Sequence, residues 1–93
     1  MQSDIYSSVI ARLSSAEGHL RAVNGMVESQ IPSRIVLHQL RAVQGALKAV
    51  SKMIHGEYIE ECLRILVTSD SPEESQQALD SLLELYNWSV SQK

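Results

Sequence analysis

Residues 32–67 carry a helical hydrophobic pattern that no polar break divides. Leu40, Val43, Leu47, Val50 and Ile54 recur at alternating three- and four-residue steps, the spacing of a seam buried against other helices. At a rise of ~1.5 Å per residue this helix is about 52 Å long. A compact chain of 93 residues has a radius of gyration of about 12 Å and a diameter near ~32 Å. The rod is longer than the globule that would have to contain it. Such a chain cannot cover its own seam, and the pattern predicts a homo-oligomer built as an antiparallel helical bundle.

The rest of the chain fits the same all-α class. Ile5, Val9, Leu13, Ala16, Leu20, Val23 and Val27 step by three or four residues and predict a first helix over 3–28, capped by the Ser3 hydroxyl. Gly18 and Gly25 interrupt it at a cost of about 1 kcal/mol each relative to Ala, and their spacing suggests close helix approach. Ser29-Gln30-Ile31-Pro32 breaks the pattern, and Pro32, lacking a backbone donor, suits the first turn of a second helix over 32–67. Thr68-Ser69-Asp70-Ser71 is a second break. Ser71-Pro72-Glu73-Glu74 places a cap, a first-turn proline and an acid at the third position, starting a helix over 71–91. Ala78, Leu79, Leu82, Leu83, Tyr86 and Val90 give that helix one apolar face. The expectation is one three-helix domain over 1–93, two helices long and one shorter.

Charge is unevenly distributed. The net charge is −3, yet Arg12, Arg21, Arg34, Arg41, Lys48 and Lys52 face only Glu17 and Glu28 between residues 12 and 52. Residues 68–93 hold Asp70, Glu73, Glu74, Asp80 and Glu84 against Lys93. Arg34, Arg41 and Lys48 repeat every seven residues and Lys52 follows one turn on, a cationic stripe roughly 27 Å long. A basic body with an acidic tail segment is compatible with a nucleic-acid partner. No run approaches the ~18–20 apolar residues that cross a bilayer. The start, MQSDIYSS, lacks a basic patch followed by an apolar block. With one cysteine, Cys62, no disulfide forms within a chain, which fits the cytoplasm. No nucleophile with its base and no glycine-rich phosphate loop is present, so no enzyme is expected.

Arg12-Leu13, Glu17-Gly18, Met26-Val27-Glu28, the run Val36 to Leu47 and finally Cys62 resemble the CsoR/RcnR/FrmR family of bacterial repressors. The most specific part is Gln39, Ala42, Val43, Ala46 and Leu47, and the likeness covers residues 9–67. The resemblance implies an all-helical dimer of dimers that binds operator DNA and releases it when an effector is bound between protomers. In the family a Cys opens the second helix and a His-x-x-x-Cys lies near its end, the two meeting across a dimer interface. Here the first position is Ser33, the His position is Tyr58, and Cys62 alone is retained. A hydroxyl and a phenol are poor ligands for a soft metal, so the resemblance implies a sensor pocket diverged from copper chemistry. Arg12 matches a basic position that members turn toward DNA, whereas two other basic positions are Ser15 and Gln44.

The candidate DNA contacts are therefore Arg12, Arg34, Arg41, Lys48 and Lys52, and the candidate effector pocket is Ser33, Tyr58 and Cys62. His55, Tyr58 and Cys62 also share one face of the second helix with Glu57 or Glu61 nearby, so His55 and Cys62 are candidate metal ligands. No resident cofactor is required; the ligand classes to consider are a transition metal ion and a small-molecule effector. His38 reads as a packed or surface histidine. Two rivals stand beside the repressor: a helical interaction protein that no longer binds DNA, and a metal-responsive regulator using His55 and Cys62.

Overall fold

The computed structural model describes residues 3–91. They form three helices, α1 (Ser3–Glu28), α2 (Ser33–Thr68) and α3 (Pro72–Ser91), with no strand among the described residues. The boundaries fall within a residue of those expected from the pattern. The cap expected of the Ser3 hydroxyl lies on a side chain outside the described ones. The chain divides into two units, Met1–Ile54 and His55–Lys93, and the unbroken 36 residues of α2 contribute to both.

The first unit is an αα-hairpin of α1 and the leading part of α2. Val9, Ala16 and Val23 are buried on α1, and Val43 and Val50 on α2. Each set repeats every seven residues, so each forms one straight line along its helix. His19 Nε2 donates to Gln39 Oε1 at 2.9 Å, a polar tie between the two helices. The turn is closed by backbone geometry. Ile31 N–H reaches the Met26 carbonyl at 3.0 Å and Gln30 N–H the Val27 carbonyl at 3.1 Å. This is the Schellman arrangement that satisfies the last carbonyls of a helix. It requires a left-handed residue between them, and that residue is Gln30 at φ 59°, where glycine is the usual occupant. Pro32 then offers its carbonyl to Val36 N–H at 3.2 Å and opens α2.

The second unit joins the trailing part of α2 to α3. Ser71 caps α3: its Oγ accepts the Glu74 N–H at 3.3 Å, and its carbonyl accepts the Ser75 N–H at 3.1 Å. Ser69 Oγ donates to Glu74 Oε2 at 2.6 Å, adding an acidic partner at the positive end of the helix dipole. Cys62, Glu57 and Ala78 are buried, and His55 meets Trp88 edge to face with ring centroids 5.4 Å apart.

Only half of each expected seam is covered within the chain. Leu13, Leu20 and Val27 form a second line on α1 and stay exposed, as do Leu47 and Ile54 on α2. The close approach expected at Gly18 and Gly25 is not found: a Cβ at either would meet open space. They sit two residues beyond the buried Ala16 and Val23, and two residues turn a helix by about 200°. They therefore occupy the opposite face.

Gln30 makes the hairpin turn a site of avoidable strain. Gln30→Gly is expected to raise stability by about 0.5–1 kcal/mol, read as a higher urea midpoint at fixed protein concentration with an unchanged m-value.

Candidate functional site

On α2 the direction of each side chain follows from its position relative to Val43 and Val50. Arg41, Lys48 and Lys52 lie two residues before Val43, before Val50 and after Val50, hence on the reverse of the buried line at about 200°. Arg34 falls on the same side, seven residues before Arg41. All four are exposed, and none makes an ion pair among the described residues, whereas Arg21 on α1 pairs with Glu17 at 3.5 Å. Arg12, exposed on α1, belongs to the same unit. Six basic against three acidic side chains give the Met1–Ile54 unit a formal charge of +3; two against eight give the His55–Lys93 unit −6. The five candidate DNA contacts thus share one unit, and that unit carries the positive charge.

The sensor positions are dispersed. Ser33 lies at the start of α2 and lines an apolar recess of about 640 Å³ with Val27, Ile31, Pro32, Val36 and Leu40 among others. Tyr58 and Cys62 lie near the other end of the helix. Ser33 and Tyr58, twenty-five positions apart in the sequence of α2, belong to different units. Tyr58 is exposed, whereas Cys62 is 4% exposed. His55 lies on the same helical face as Cys62, seven residues before it, and lines a recess of about 250 Å³ with Ile59, Leu82, Leu85, Tyr86 and Ser89. The thiol is therefore on the side of α2 that α3 packs against.

A metal finds little in this donor set. Among the described residues no three His, Cys, Asp or Glu side chains converge. Of the three positions that the family resemblance assigns to the sensor, only Cys62 supplies a soft donor, so the set does not fit Cu(I). Glu57 does not join the row of His55 and Cys62. It is five residues before Cys62, about 140° around the helix, and continues the buried line of Val43 and Val50 by one further heptad.

The burial of Glu57 and the recess beside His38 are features that residue patterns did not foresee. Glu57 is 4% exposed, and its Oε1 has no hydrogen-bond partner, an arrangement that costs free energy unless compensated. Its seven-residue spacing from Val50 was the available signal. His38 is exposed between Arg34 and Arg41, and the three line a shallow recess with Ile35 and Leu37.

Comparison with known proteins places these features in context. A sequence model described as "Metal-sensitive transcriptional repressor" matches residues 6–87, across both units. Among solved structures, the nickel-responsive transcriptional regulator InrS is similar with 35% identity and a TM-score of 0.65, over 81% of this chain and 89% of that one. No curated protein matches.

The missing donors define a gain-of-function test. S33C combined with Y58H completes the Cys, His and Cys set that the resemblance assigns to the metal. The double variant is expected to retain stoichiometric Cu(I) through anaerobic desalting, with the wild-type chain retaining none, read by competition with a chromogenic Cu(I) chelator.

Proposed function

The chain belongs to the family of metal-sensitive transcriptional repressors, and on that premise we propose that it clamps operator DNA on the cationic reverse face of α2 and releases it when an effector binds between copies. One observation carries this reading: on a single helix, in a single unit, an apolar line and an unpaired cationic stripe point in opposite directions. The apolar side faces protein and the cationic side is left for a polyanion. Arg34, Arg41, Lys48 and Lys52, with Arg12 from α1, supply the phosphate contacts. Phosphate contacts position a duplex without reading bases, so operator choice rests on DNA shape as well as on direct contacts.

The exposed lines support self-association. Leu13, Leu20 and Val27 on α1 and Leu47 and Ile54 on α2 repeat at the same seven-residue interval as the buried lines. A second copy supplies the complementary surface, and the dimer of dimers implied by the resemblance multiplies the cationic edges on one face. In that assembly Ser33 of one copy and Tyr58 with Cys62 of another form the effector pocket. Its donors favour an effector other than a soft metal ion, and displacement of the helices around it misaligns the edges. Among the described residues no helix is long and apolar enough to cross a membrane, and the proposed site of action is the cytoplasm, with the chromosome. The family assignment favours this reading over an interaction protein without DNA binding.

Electrostatic clamping makes a quantitative demand. With DNA from the region upstream of the gene, the logarithm of affinity should fall linearly with the logarithm of salt concentration. Each phosphate contact removed by Arg41→Gln or Lys48→Gln lowers the slope by about 0.9. An affinity indifferent to salt would sink the clamp. Leu20→Glu, placing a charge on the exposed line, is expected to dissociate the assembly in sedimentation velocity and to abolish DNA retention in the same preparation. Full DNA binding by a monodisperse single chain overturns the need for assembly.

A further inference from the structure

Within the cationic stripe one place differs from the others. Arg34, His38 and Arg41 follow one another at four and three residues, the intervals at which helical side chains are neighbours. With Ile35 and Leu37 they line a recess of about 280 Å³. Every lining residue belongs to α2, and none is acidic. Arg34 and Arg41 are about 10 Å apart along the axis, with His38 midway. Two long guanidinium side chains thus flank the imidazole along the helix, one on each side, and line the same recess.

We propose that this recess is an oxyanion seat, taking a phosphate-class group between the Arg34 and Arg41 guanidiniums with a hydrogen bond from the His38 ring. The chemistry of each part fits. Guanidinium forks present paired donors that match the oxygens of a phosphate, which a lysine ammonium does not. A histidine ring supplies a further N–H donor in either charge state. The apolar flanks of Ile35 and Leu37 exclude part of the water that otherwise competes for those donors. Two arginine guanidiniums without a carboxylate among the lining residues repel one another, and a bound oxyanion relieves that repulsion. The proposal rests on the reading of the reverse face of α2 as the polyanion edge and gives that edge a discrete site. The phosphate group has two sources, a DNA backbone or a free oxyanion in solution.

The full chain has three histidines, so their ring signals in a proton–carbon NMR spectrum are few, and the His38 signal is identified by its loss in H38Q. Inorganic phosphate is titrated against sodium chloride at equal ionic strength. The His38 signal is expected to move saturably with phosphate. R34Q and R41Q should each weaken phosphate binding about tenfold, while R64Q, at an exposed arginine of the other unit, changes it by less than about twofold. All four residues are exposed, and helical circular dichroism checks that each variant is folded. No movement of the His38 signal, or equal weakening by R64Q, overturns the seat. A second titration uses a short mixed-sequence DNA duplex. If the duplex moves the same signal and phosphate competes with it, the seat holds a backbone phosphate. If the duplex binds without moving it while phosphate does, the seat holds a free oxyanion. DNA binding that persists when phosphate leaves His38 untouched overturns the seat alone and leaves the repressor reading standing.

Discussion

The assignment of opposite faces along α2 organises everything else in this molecule. Thirty-six residues of continuous helix bury one line, Val43 and Val50, and turn the opposite side to solvent. Helical periodicity makes the two sides strictly dependent on each other. A residue seven positions on keeps its face, and a residue two positions on reverses it. Once the valines pack, the positions of Arg34, Arg41, Lys48 and Lys52 are no longer free. Packing and cationic display are thus one constraint, satisfied by a single register.

That register leaves a second apolar line unsatisfied. Removing a leucine side chain from water contributes about 1.5–3 kcal/mol, and the exposed Leu13, Leu20 and Leu47 forgo that gain in an isolated chain. In the assembly proposed above, stability and a broad cationic platform come from the same association. Coupling of this kind suits a regulator, because a ligand seated between copies would act on the contact that also aligns the proposed DNA-facing edges. Glu57 marks the limit of the apolar line. A carboxylate at the next heptad position interrupts burial of hydrocarbon, with one oxygen unpartnered, and so weakens packing at that level of the helix.

The sensor positions have moved away from thiolate chemistry while the scaffold has kept its form. Ser33 opens into an apolar recess, Tyr58 is exposed, and Cys62 is buried on the side of α2 that meets α3. A buried thiol without neighbouring soft donors behaves as a small apolar residue. The Arg34, His38 and Arg41 cluster begins beside Ser33, so the proposed oxyanion seat and the first of the sensor positions implied by the resemblance share the opening turns of α2. The proposed ligand chemistry at this end of the helix is accordingly hard and anionic rather than soft and thiophilic.

Much of this was legible from residues alone. Helix number, helix limits and the cap at Ser71 all follow from periodicity and turn chemistry, which depend on near neighbours in the chain. The cationic stripe was legible for the same reason, since seven-residue spacing places side chains in line whatever the helix packs against. Local rules failed where the outcome depended on what lies across space. Val9, Ala16 and Val23 are as apolar as Leu13, Leu20 and Val27, and only packing decided which line the hairpin buries. Gln30 took the left-handed position because the hairpin closes there, although its side chain gives no sign of it. Gly18 and Gly25 proved to face open space. The burial of Glu57 and the recess around His38 likewise arise from neighbours that no sequence interval specifies. Periodicity settles which residues share a face; tertiary packing settles which face meets protein and which is left to meet a ligand, because burial is a property of two surfaces together.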